Sequence, residues 1–502
     1  MKILTSSLLV TVSIFLSMVC WGQHSEWNQF RGPNASGIAA PDAKPPVKFG
    51  EGQNLLWKIE LPYGNSSPVV WEDKIFLTGF IEEKSELQTL CIDRKKGNII
   101  WIDSIFPDKL EQYHSISSPA QATVAVDENS VYVFFGSEGL RCLDHNGTLK
   151  WNYPIPVTEF KWGHPSSPVI ADEKLIITMD HGSNEQRHLL ALNKTDGSVI
   201  WKSFIQESTP FSTYGYPCFG TPAIFQDQII LHRSGGVASY SLTTGAPQWW
   251  IHLRTNGAGT PIVHNNIIFV AGWGEFAEKG RRGEFYEYDT FEKAVNALDQ
   301  DGDKLISRNE IPEGMMITDR PENDISDAVT FSLRNFYGRI DSDKNGLADE
   351  NEWMSFYNLI ISFTEDVGLM AFNPELKGEL TLSDILWVQP EKNPEVPSPL
   401  ANDDCIYMVK NGGWVTCMDS QTGKVHYQEK LGAPGAYIAS PVAANGFIYL
   451  PAHNGTINVI EAGKKPKVVF ETKLKGKITA TPAIAENNLY IRTSELLYAF
   501  GK

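Results

Sequence analysis

Eight Ser-Pro or Thr-Pro pairs, each followed by a short apolar run, constrain this 502-residue chain more than any other feature. They are Ser67-Pro68, Ser118-Pro119, Ser167-Pro168, Thr221-Pro222, Thr260-Pro261, Ser398-Pro399, Ser440-Pro441 and Thr481-Pro482. Successive prolines lie 39 to 54 residues apart, except for one interval of 138 residues between Pro261 and Pro399. A period of about 40 to 50 residues is typical of four-stranded propeller blades. The pattern therefore predicts eight blades and one insertion.

The interior of each repeat supports four strands. Two β-branched runs surround a polar turn, and a third run leads to a glycine with an aromatic residue four places later. These pairs are Gly97/Trp101, Gly147/Trp151, Gly197/Trp201, Gly245/Trp249 and Gly423/Tyr427. The glycine suits a tight hairpin turn, and the aromatic ring is expected to dock against the neighbouring blade.

The last repeat lacks its fourth strand, because the chain reaches Lys502 soon after the run from Leu496 to Phe500. An unassigned run with the form of a fourth strand, Leu55 to Glu60, precedes the first repeat. We therefore expect an all-β, eight-bladed propeller in which the N-terminal strand closes the last blade. A Ser/Thr ring that binds a ligand is the functional alternative to strand starts that only line the central channel.

The N-terminus predicts export. Lys2, the apolar run from Ile3 to Val19 and the small residue Gly22 are typical of a signal peptide over residues 1–22, cleaved near Gly22. An uncleaved anchor and lipidation of Cys20 are the alternatives. No later stretch is long and apolar enough to span a membrane. The mature protein is expected in the periplasm or outside the cell.

Five cysteines remain after cleavage, which is an odd number and too few for a disulfide framework. Cys91, Cys142 and Cys417 share one repeat position, which Ala191 fills in another repeat, so we interpret them as small strand residues. Whether Cys218 and Cys405 pair stays open.

The formal charge of −17 argues against a nucleic-acid partner. The charge is concentrated in one segment, because 20 acidic and seven basic residues lie between Glu284 and Asp366. This segment falls within the long interval. The predicted domains are thus propeller residues 23–274, an insertion at 284–366 in blade five, and propeller residues 369–502.

Two twelve-residue stretches in the insertion match the calcium loop of an EF-hand, with helical spacing of apolar residues around them. Calcium takes six to eight oxygen ligands at fixed positions of this loop. In the first loop these would be Asp299, Asp301, Asp303, the Leu305 carbonyl, Ser307 through water, and Glu310. In the second they would be Asp341, Asp343, Asn345, the Leu347 carbonyl, Asp349 and Glu352.

Lys304 stands where the first loop is expected to have glycine, so we expect the first site to be the weaker. A degenerate pair of loops without metal is the alternative. Calcium is expected as a structural clamp rather than as a sensor, since extracellular modules bind it only at about 10⁻⁴ to 10⁻³ M.

The repeat resembles the pyrroloquinoline-quinone-like (PQQ-like) propeller family of quinoprotein alcohol dehydrogenases and of the propeller lipoprotein in bacterial outer-membrane assembly. The resemblance rests on the Ser-Pro starts and on the stretches Leu90–Trp101 and Leu190–Trp201. Trp27 to Pro33 also looks like the N-terminal signature of exported bacterial members with no assigned chemistry. A WD40 propeller is the structural alternative, but no Trp-Asp dipeptide closes a repeat.

The resemblance allows two functions. The first is a binding or scaffold module, with a protein, small-molecule or glycan ligand at one propeller face. The second is a PQQ-dependent alcohol or sugar dehydrogenase. We favour the first, since the chain lacks the adjacent-cysteine pair common in such dehydrogenases, and we expect no PQQ, no catalytic residues and no cofactor-binding residues. Candidate ligand contacts are His114, Trp162, His164, Tyr214 and Tyr216, in loops that precede strand starts.

Overall fold

Eight sheets of four antiparallel strands form the core of the molecule. The computed structural model describes residues 27–157, 160, 162–179, 187–205, 218–253, 255, 257–274, 282–318, 331–362 and 368–502. Each sheet is one blade, and its strands follow one another in the chain except in blades 5 and 8. The chain is the all-β, eight-bladed propeller that the repeat predicted.

The blades are numbered from the first complete repeat. Blade 1 contains β2 Val69–Trp71, β3 Lys74–Ile81, β4 Glu86–Asp93 and β5 Ile99–Ile105, and blade 2 contains β6 Ala125–Val126, β7 Val131–Phe135, β8 Gly139–Leu143 and β9 Leu149–Pro154. Blade 3 contains β10 Val169–Ala171, β11 Lys174–Met179, β12 His188–Asn193 and β13 Val199–Phe204, and blade 4 contains β14 Ala223–Phe225, β15 Gln228–Arg233, β16 Gly236–Ser241 and β17 Pro247–His252.

Blades 5 to 8 contain the insertion and the closure. Blade 5 contains β18 Ile262–His264, β19 Ile267–Gly272, β24 Gly368–Phe372 and β26 Trp387–Gln389, and blade 6 contains β27 Leu400–Asn402, β28 Cys405–Lys410, β29 Trp414–Asp419 and β30 Val425–Lys430. Blade 7 contains β31 Val442–Ala444, β32 Phe447–Pro451, β33 Thr456–Glu461 and β34 Val468–Lys473, and blade 8 contains β35 Ala483–Ala485, β36 Asn488–Arg492, β37 Leu496–Phe500 and β1 Leu55–Glu60.

The N-terminal strand completes the last blade. β1 pairs antiparallel with β37, with Trp57 opposite Ala499 and Glu60 opposite Leu496. The predicted closure is confirmed. It gives the C-terminal strand a partner that it would otherwise lack, and so removes an exposed sheet edge.

A closed ring of hydrogen bonds joins the eight inner strands. At the start of each inner strand, a backbone N–H donates to the hydroxyl of the equivalent residue in the next blade, at 2.9 to 3.2 Å. The members are Ser67, Thr123, Ser167, Thr221, Thr260, Ser398, Ser440 and Thr481. These hydroxyls therefore hold neighbouring blades together.

One assignment from the repeat is wrong. Ser118-Pro119 does not open the inner strand of blade 2, because that strand begins at Ala125 and the ring member before it is Thr123. Ser118 instead accepts a hydrogen bond from the backbone of Ala120 within the preceding loop. The Ser-Pro dipeptide marked the right blade, but it lies five residues before the ring member Thr123, which is followed by Val124 rather than by proline.

The aromatic residue that ends one blade packs against the glycine turn of the next blade, and this contact joins the outer strands of neighbouring blades. A Cβ added at Gly147 would lie 2.9 Å from the indole of Trp101 in the preceding blade, and one at Gly97 would lie 2.6 Å from Trp57. The same close contact joins Trp151 to Gly197, Trp201 to Gly245 and Trp387 to Gly423. The Trp101 indole also donates to the His145 carbonyl at 3.0 Å. The expected docking of the ring on the glycine turn of the neighbouring blade is thus confirmed for Trp101, Trp151 and Trp201.

Blade 4 meets blade 5 differently, because blade 5 has no glycine turn at this position. Trp249 stacks instead on Phe372, with ring centroids 5.8 Å apart. A short strand, β25 (Gly378–Glu379), then pairs in parallel with β17. The connection between β24 and β26 thus covers the outer edge of blade 4.

The segment before β1 crosses the central axis. The Asn28 carbonyl accepts from Val126 in blade 2, whereas the Arg31 guanidinium donates to the Pro399 carbonyl in blade 6 at 2.7 Å. Blades 2 and 6 are opposite each other in a ring of eight. Further along, Ala39 donates to Ala443 in blade 7. Residues 27–39, called the axial segment below, therefore bridge the ring between opposite inner strands.

Small strand residues lie opposite the docking aromatic rings. Cys91, Cys142 and Cys417 pair with Trp101, Trp151 and Tyr427, and all three cysteines are buried. This agrees with their interpretation as small hydrophobic residues.

The two remaining cysteines are not bonded to each other. Neither Cys218 nor Cys405 forms a disulfide, and the Cys218 thiol donates to the His232 carbonyl at 3.1 Å.

The insertion lies between β19 and β24 and has its own hydrophobic core. It contains α1 Phe291–Leu298, α2 Tyr337–Ile340 and α3 Glu350–Ser362, with β20 Ile306–Ser307, β21 Met316–Thr318, β22 Phe331–Ser332 and β23 Leu347–Ala348. Phe285, Trp353 and Phe356 lie at the centre of this core, which is formed by residues of the insertion alone. Short 3-10 helices complete the described elements, at Pro33–Ala35, Glu82–Lys84, Glu284–Glu287, Leu333–Phe336 and Leu382–Asp384.

Candidate metal centre and ligand face

Each of the two acidic loops follows a helix. The first loop begins at Asp299, the residue after α1, and Thr290 caps the start of α1 by accepting from the Lys293 N–H. The second begins at Asp341 after α2 and leads into α3. Helix, loop and helix thus follow one another around the second loop, although α2 is a single turn. The same order was expected around the first loop, but no helix follows that loop within the described residues up to Thr318.

The second loop brings carboxylates from its two ends together. Asp341, Asp343 and Glu352 each offer an oxygen, and these oxygens lie within 4.8 Å of one another. Asn345, the fourth predicted side-chain ligand, lies beside them, because its N–H donates to Asp341 at 3.1 Å and to Asp343 at 3.0 Å. Hard oxygen donors in one place are the ligands that calcium prefers.

Asp349, the predicted water-holding residue of the second loop, stands at the start of α3. It accepts from the Glu352 N–H at 2.9 Å, and its own N–H donates to the Glu352 carboxylate at 3.2 Å. These reciprocal bonds fix the Glu352 side chain against the loop. The Leu347 N–H is likewise held by the Asn345 side chain at 2.8 Å.

The first loop gathers three aspartates. Oxygens of Asp299, Asp301 and Asp303 lie within 4.8 Å of one another. Glu310 closes the loop in a different way, since its carboxylate accepts from the N–H groups of Gln300 at 2.9 Å and Ser307 at 2.6 Å. The Leu305 N–H donates to Asp303 at 2.7 Å, so the backbone around the predicted Leu305 ligand is ordered by the loop itself.

The two loops are joined back to back. β20 and β23 pair antiparallel, with Ile306 opposite Ala348 and Ser307 opposite Leu347. The Tyr337 hydroxyl lies between the loops, within 2.7 Å of the Ile306 carbonyl and 2.9 Å of the Gly346 carbonyl. The two loops are therefore held in direct contact by one strand pair and one shared hydroxyl group.

Each of the two loops contains two residues with positive φ, in the left-handed region. In the first loop these are Gly302 at φ 82° and Lys304 at φ 64°, and in the second they are Lys344 at φ 62° and Gly346 at φ 94°. Each loop therefore has one glycine and one strained lysine, in exchanged order. The strain that made the first loop look weaker is matched in the second.

The closing glutamates are ionised at neutral pH. Burial, the largest single influence, raises the pKa of Glu352, but hydrogen bonds from the backbone N–H groups of Asp343 and Asp349 outweigh it and leave the pKa lowered. Glu310 behaves in the same way, with Ser307 and Gln300 as donors. Both carboxylates are thus in the form that binds a cation.

Three of the predicted ligand-face residues lie close together at the junction of blades 2 and 3. The rings of His114 and Trp162 stack at 4.1 Å with an interplanar angle of 10°. His164 is buried, and burial lowers its pKa to about 3, so it is neutral. Tyr214 and Tyr216 lie outside the described residues.

Glu111 is a further polar residue of this junction, which sequence reasoning missed. It is 2% exposed, and its carboxylate accepts from the His164 N–H at 2.9 Å. A Cβ at Gly136 would lie 2.1 Å from that carboxylate. Burial raises the pKa of Glu111 to about 8. Its only signal in the sequence is its place in the long connection from β5 to β6, three residues before His114.

The fold defines the class of protein: an eight-bladed β-propeller, whose repeats resemble those of the PQQ-like family. Residues 86–321 match the family model described as "Outer membrane protein assembly factor BamB", slightly less than half of the chain. A search of curated proteins finds no match.

Solved structures share this fold at low sequence identity. BamB from Moraxella catarrhalis is 12% identical with a TM-score of 0.53, over 89% of this chain and 97% of that one. A europium-containing methanol dehydrogenase is 12% identical with a TM-score of 0.54, over 95% and 98%. The quinohemoprotein alcohol dehydrogenase ADHIIG from Pseudomonas putida HK5 is 10% identical with a TM-score of 0.53, over 95% and 80%. At such identities the likeness shows the fold alone.

Among the described residues, no helix is both long and apolar enough to cross a membrane.

Proposed function

We propose that this protein is an exported, calcium-binding propeller that acts as a binding or scaffold module. The proposal rests chiefly on one observation: oxygens of Asp341, Asp343 and Glu352 converge within 4.8 Å although Glu352 lies eleven residues after Asp341. Three carboxylates at that distance repel one another unless a cation lies between them. The paired first loop and the local excess of acidic residues support the same conclusion.

Calcium would act on the insertion as a structural clamp. Asp341 and Glu352 stand at the two ends of the second loop, so a shared ion would tie the end of α2 to the start of α3. The pairing of β20 with β23 would extend this effect to the first loop. Since the insertion has a core of its own, the metal would stabilise that core.

A calcium titration followed by calorimetry tests the clamp. The wild type should gain about 2.7 kcal/mol at a hundredfold excess of calcium over its Kd. The double substitution Asp341→Asn with Glu352→Gln keeps side-chain shape and should abolish most of that gain. Glu350→Gln, an exposed acid at the start of α3, is the matched control and should gain as much as the wild type. A wild type whose melting temperature ignores calcium would overturn the proposal.

The ligand face favours a scaffold over a dehydrogenase. Glu111 and Gln121 are an acid and an amide near a flat aromatic residue, Trp162, which is the arrangement that a quinone with its metal ion would need. However, the Glu111 carboxylate is closed to solvent, and burial keeps it protonated up to its pKa of about 8; its Oε2 accepts from the His164 N–H, while its Oε1 has no partner within the described residues. These residues do not fit the group, so we assign them to holding the loops of blades 2 and 3 together.

The dehydrogenase alternative has a direct test. The purified protein is incubated with calcium and PQQ, and dye-linked oxidation of primary alcohols is followed. Turnover that is lost with Glu111→Gln would replace the scaffold proposal with the enzyme. For the scaffold itself, we expect a pull-down from the exported fraction to recover a protein partner, with calcium-dependent recovery if the insertion forms part of the interface.

Export rests on the sequence of residues 1–22, which lie outside the described residues. Expression in a bacterial host with N-terminal sequencing of the exported product tests it, and we expect the mature chain to begin near Gln23.

A further inference from the structure

The axial segment, residues 27–39, includes the motif Trp27 to Pro33, to which the calcium proposal gives no role. It belongs to no blade, yet Trp27 and Arg31 in it are fully buried. A cavity of about 220 Å³ lies beside it. The axial segment forms one wall, and the inner strands and turns of blades 3 and 4 form the others.

Four polar side chains line the cavity: Gln29, Asn34, Asp172 and Gln226. Gln29 is 7% exposed, and its Oε1 has no hydrogen-bond partner. Asn34, Asp172 and Gln226 are exposed to solvent, so among these four residues Gln29 is the buried one that lacks a partner. Buried polar groups are usually paired, so an unpaired amide beside a cavity points to a bound molecule.

The backbone of the axial segment is strained at the cavity. Asn34 and Ala35 adopt φ 53° and 52° in succession. One such residue costs on the order of 1 kcal/mol or more, and such residues cluster at binding sites. Positive φ at Asp172 and Gln226 carries no such meaning, because the same turn is strained in other blades, for example at Asn445.

We propose that this cavity binds a small neutral molecule rich in hydroxyl groups, such as a monosaccharide or another polyol. Three amides and one carboxylate supply both donors and acceptors, which match hydroxyl groups. No lysine or arginine lines the cavity, which disfavours an anion. Its volume equals roughly seven water molecules, so one sugar ring is a better match than a chain of sugars. The apolar wall of Val169, Pro222 and Ile224 would face the carbon skeleton.

Saturation-transfer NMR on the full-length protein tests the proposal, with glucose, galactose and glycerol as probes at millimolar concentration. Asn34→Gly combined with Gln226→Gly removes two amides at positions where glycine is conformationally favoured, so the fold is kept. Loss of two hydrogen bonds should weaken binding about tenfold or more. Asn445→Gly, at the equivalent turn of blade 7, is the matched control and should bind like the wild type.

Three outcomes would overturn the proposal. They are the absence of saturation for all three probes in the wild type, equal binding by the double variant and the control, and preference for the cation 1,4-diaminobutane over the sugars, which would make Asp172 the centre of a cation site. None of these outcomes depends on calcium, so failure here is distinguishable from failure of the calcium proposal.

Discussion

The backbone N–H of Thr481 donates to the hydroxyl of Ser67 at 3.0 Å, and this bond joins residues 414 positions apart. It is the last link in the ring that the inner strands form. We predict that Ser67→Ala destabilises the protein by about 1 to 3 kcal/mol, because the buried Thr481 N–H loses its acceptor. Urea unfolding measures the effect.

Ser355→Ala deletes the same hydroxyl from an exposed position of α3 and serves as the control. It should change stability by less than about 0.5 kcal/mol. Equal effects of the two substitutions would mean that the ring contributes nothing measurable.

Because Trp101 packs against Gly147, we predict that alanine destabilises the protein more at Gly147 than at a glycine turn without an aromatic neighbour. Gly147→Ala places a Cβ 2.9 Å from the indole at a residue with φ 86°, so steric overlap adds to backbone strain. Gly446→Ala has a similar φ of 75° but no atom within 4 Å of the added Cβ. We expect Gly446→Ala to cost about 1 kcal/mol and Gly147→Ala at least about 1 kcal/mol more. Thermal unfolding of both variants gives the difference, and identical losses would show that the ring moves aside freely.

Glu111 predicts a loss of stability as the pH rises. Its pKa is raised by burial to about 8 in the folded protein, so its contribution is complete below the unfolded value near 4.5 and is lost as the pH passes through 8. Glu111→Gln imitates the protonated form. The variant should therefore be more stable than the wild type at pH 8, by up to a few kcal/mol, and similar to it at pH 4.5.

For Glu86→Gln, the stability difference from the wild type should depend on pH in the opposite direction. Hydrogen bonds from Ser104 and Gln88 lower the pKa of Glu86, so its contribution is present at neutral pH and lost in acid. Denaturant unfolding across this pH range compares the two variants. A pH-independent difference between wild type and Glu111→Gln would contradict the buried-acid interpretation.

The exchanged order of glycine and lysine in the two acidic loops gives a further prediction. Because Lys304 and Lys344 have nearly equal positive φ, Lys304→Gly and Lys344→Gly should relieve similar strain and each strengthen calcium binding by a similar factor. Calorimetric titration measures both. If only Lys304→Gly strengthens binding, the first loop is the weaker site for the reason that the sequence suggested.

Sequence reasoning reached the blades, the closure and the insertion because each depends on a repeated or local pattern. Trp57 could be matched to the last blade since every other blade ends in such a strand. Thr123 was missed because it is followed by Val124 instead of proline, and the nearby pair Ser118-Pro119 was taken as the marker. The path of the axial segment was out of reach as well: contacts such as Arg31 with Pro399 join distant residues without any periodicity. Glu111 was missed for the same reason, since its role depends on Gly136 and His164 in two other loops.

The pairing of β1 with β37 also orders events in time. Residues 55–60 emerge early in synthesis, yet their partner strand is residues 496–500. The ring cannot close until residues 496–500 have been made, so the blades made before them wait with an open flank. Such non-local pairing slows folding, because the cost of bringing two distant strands together precedes the contacts that they make.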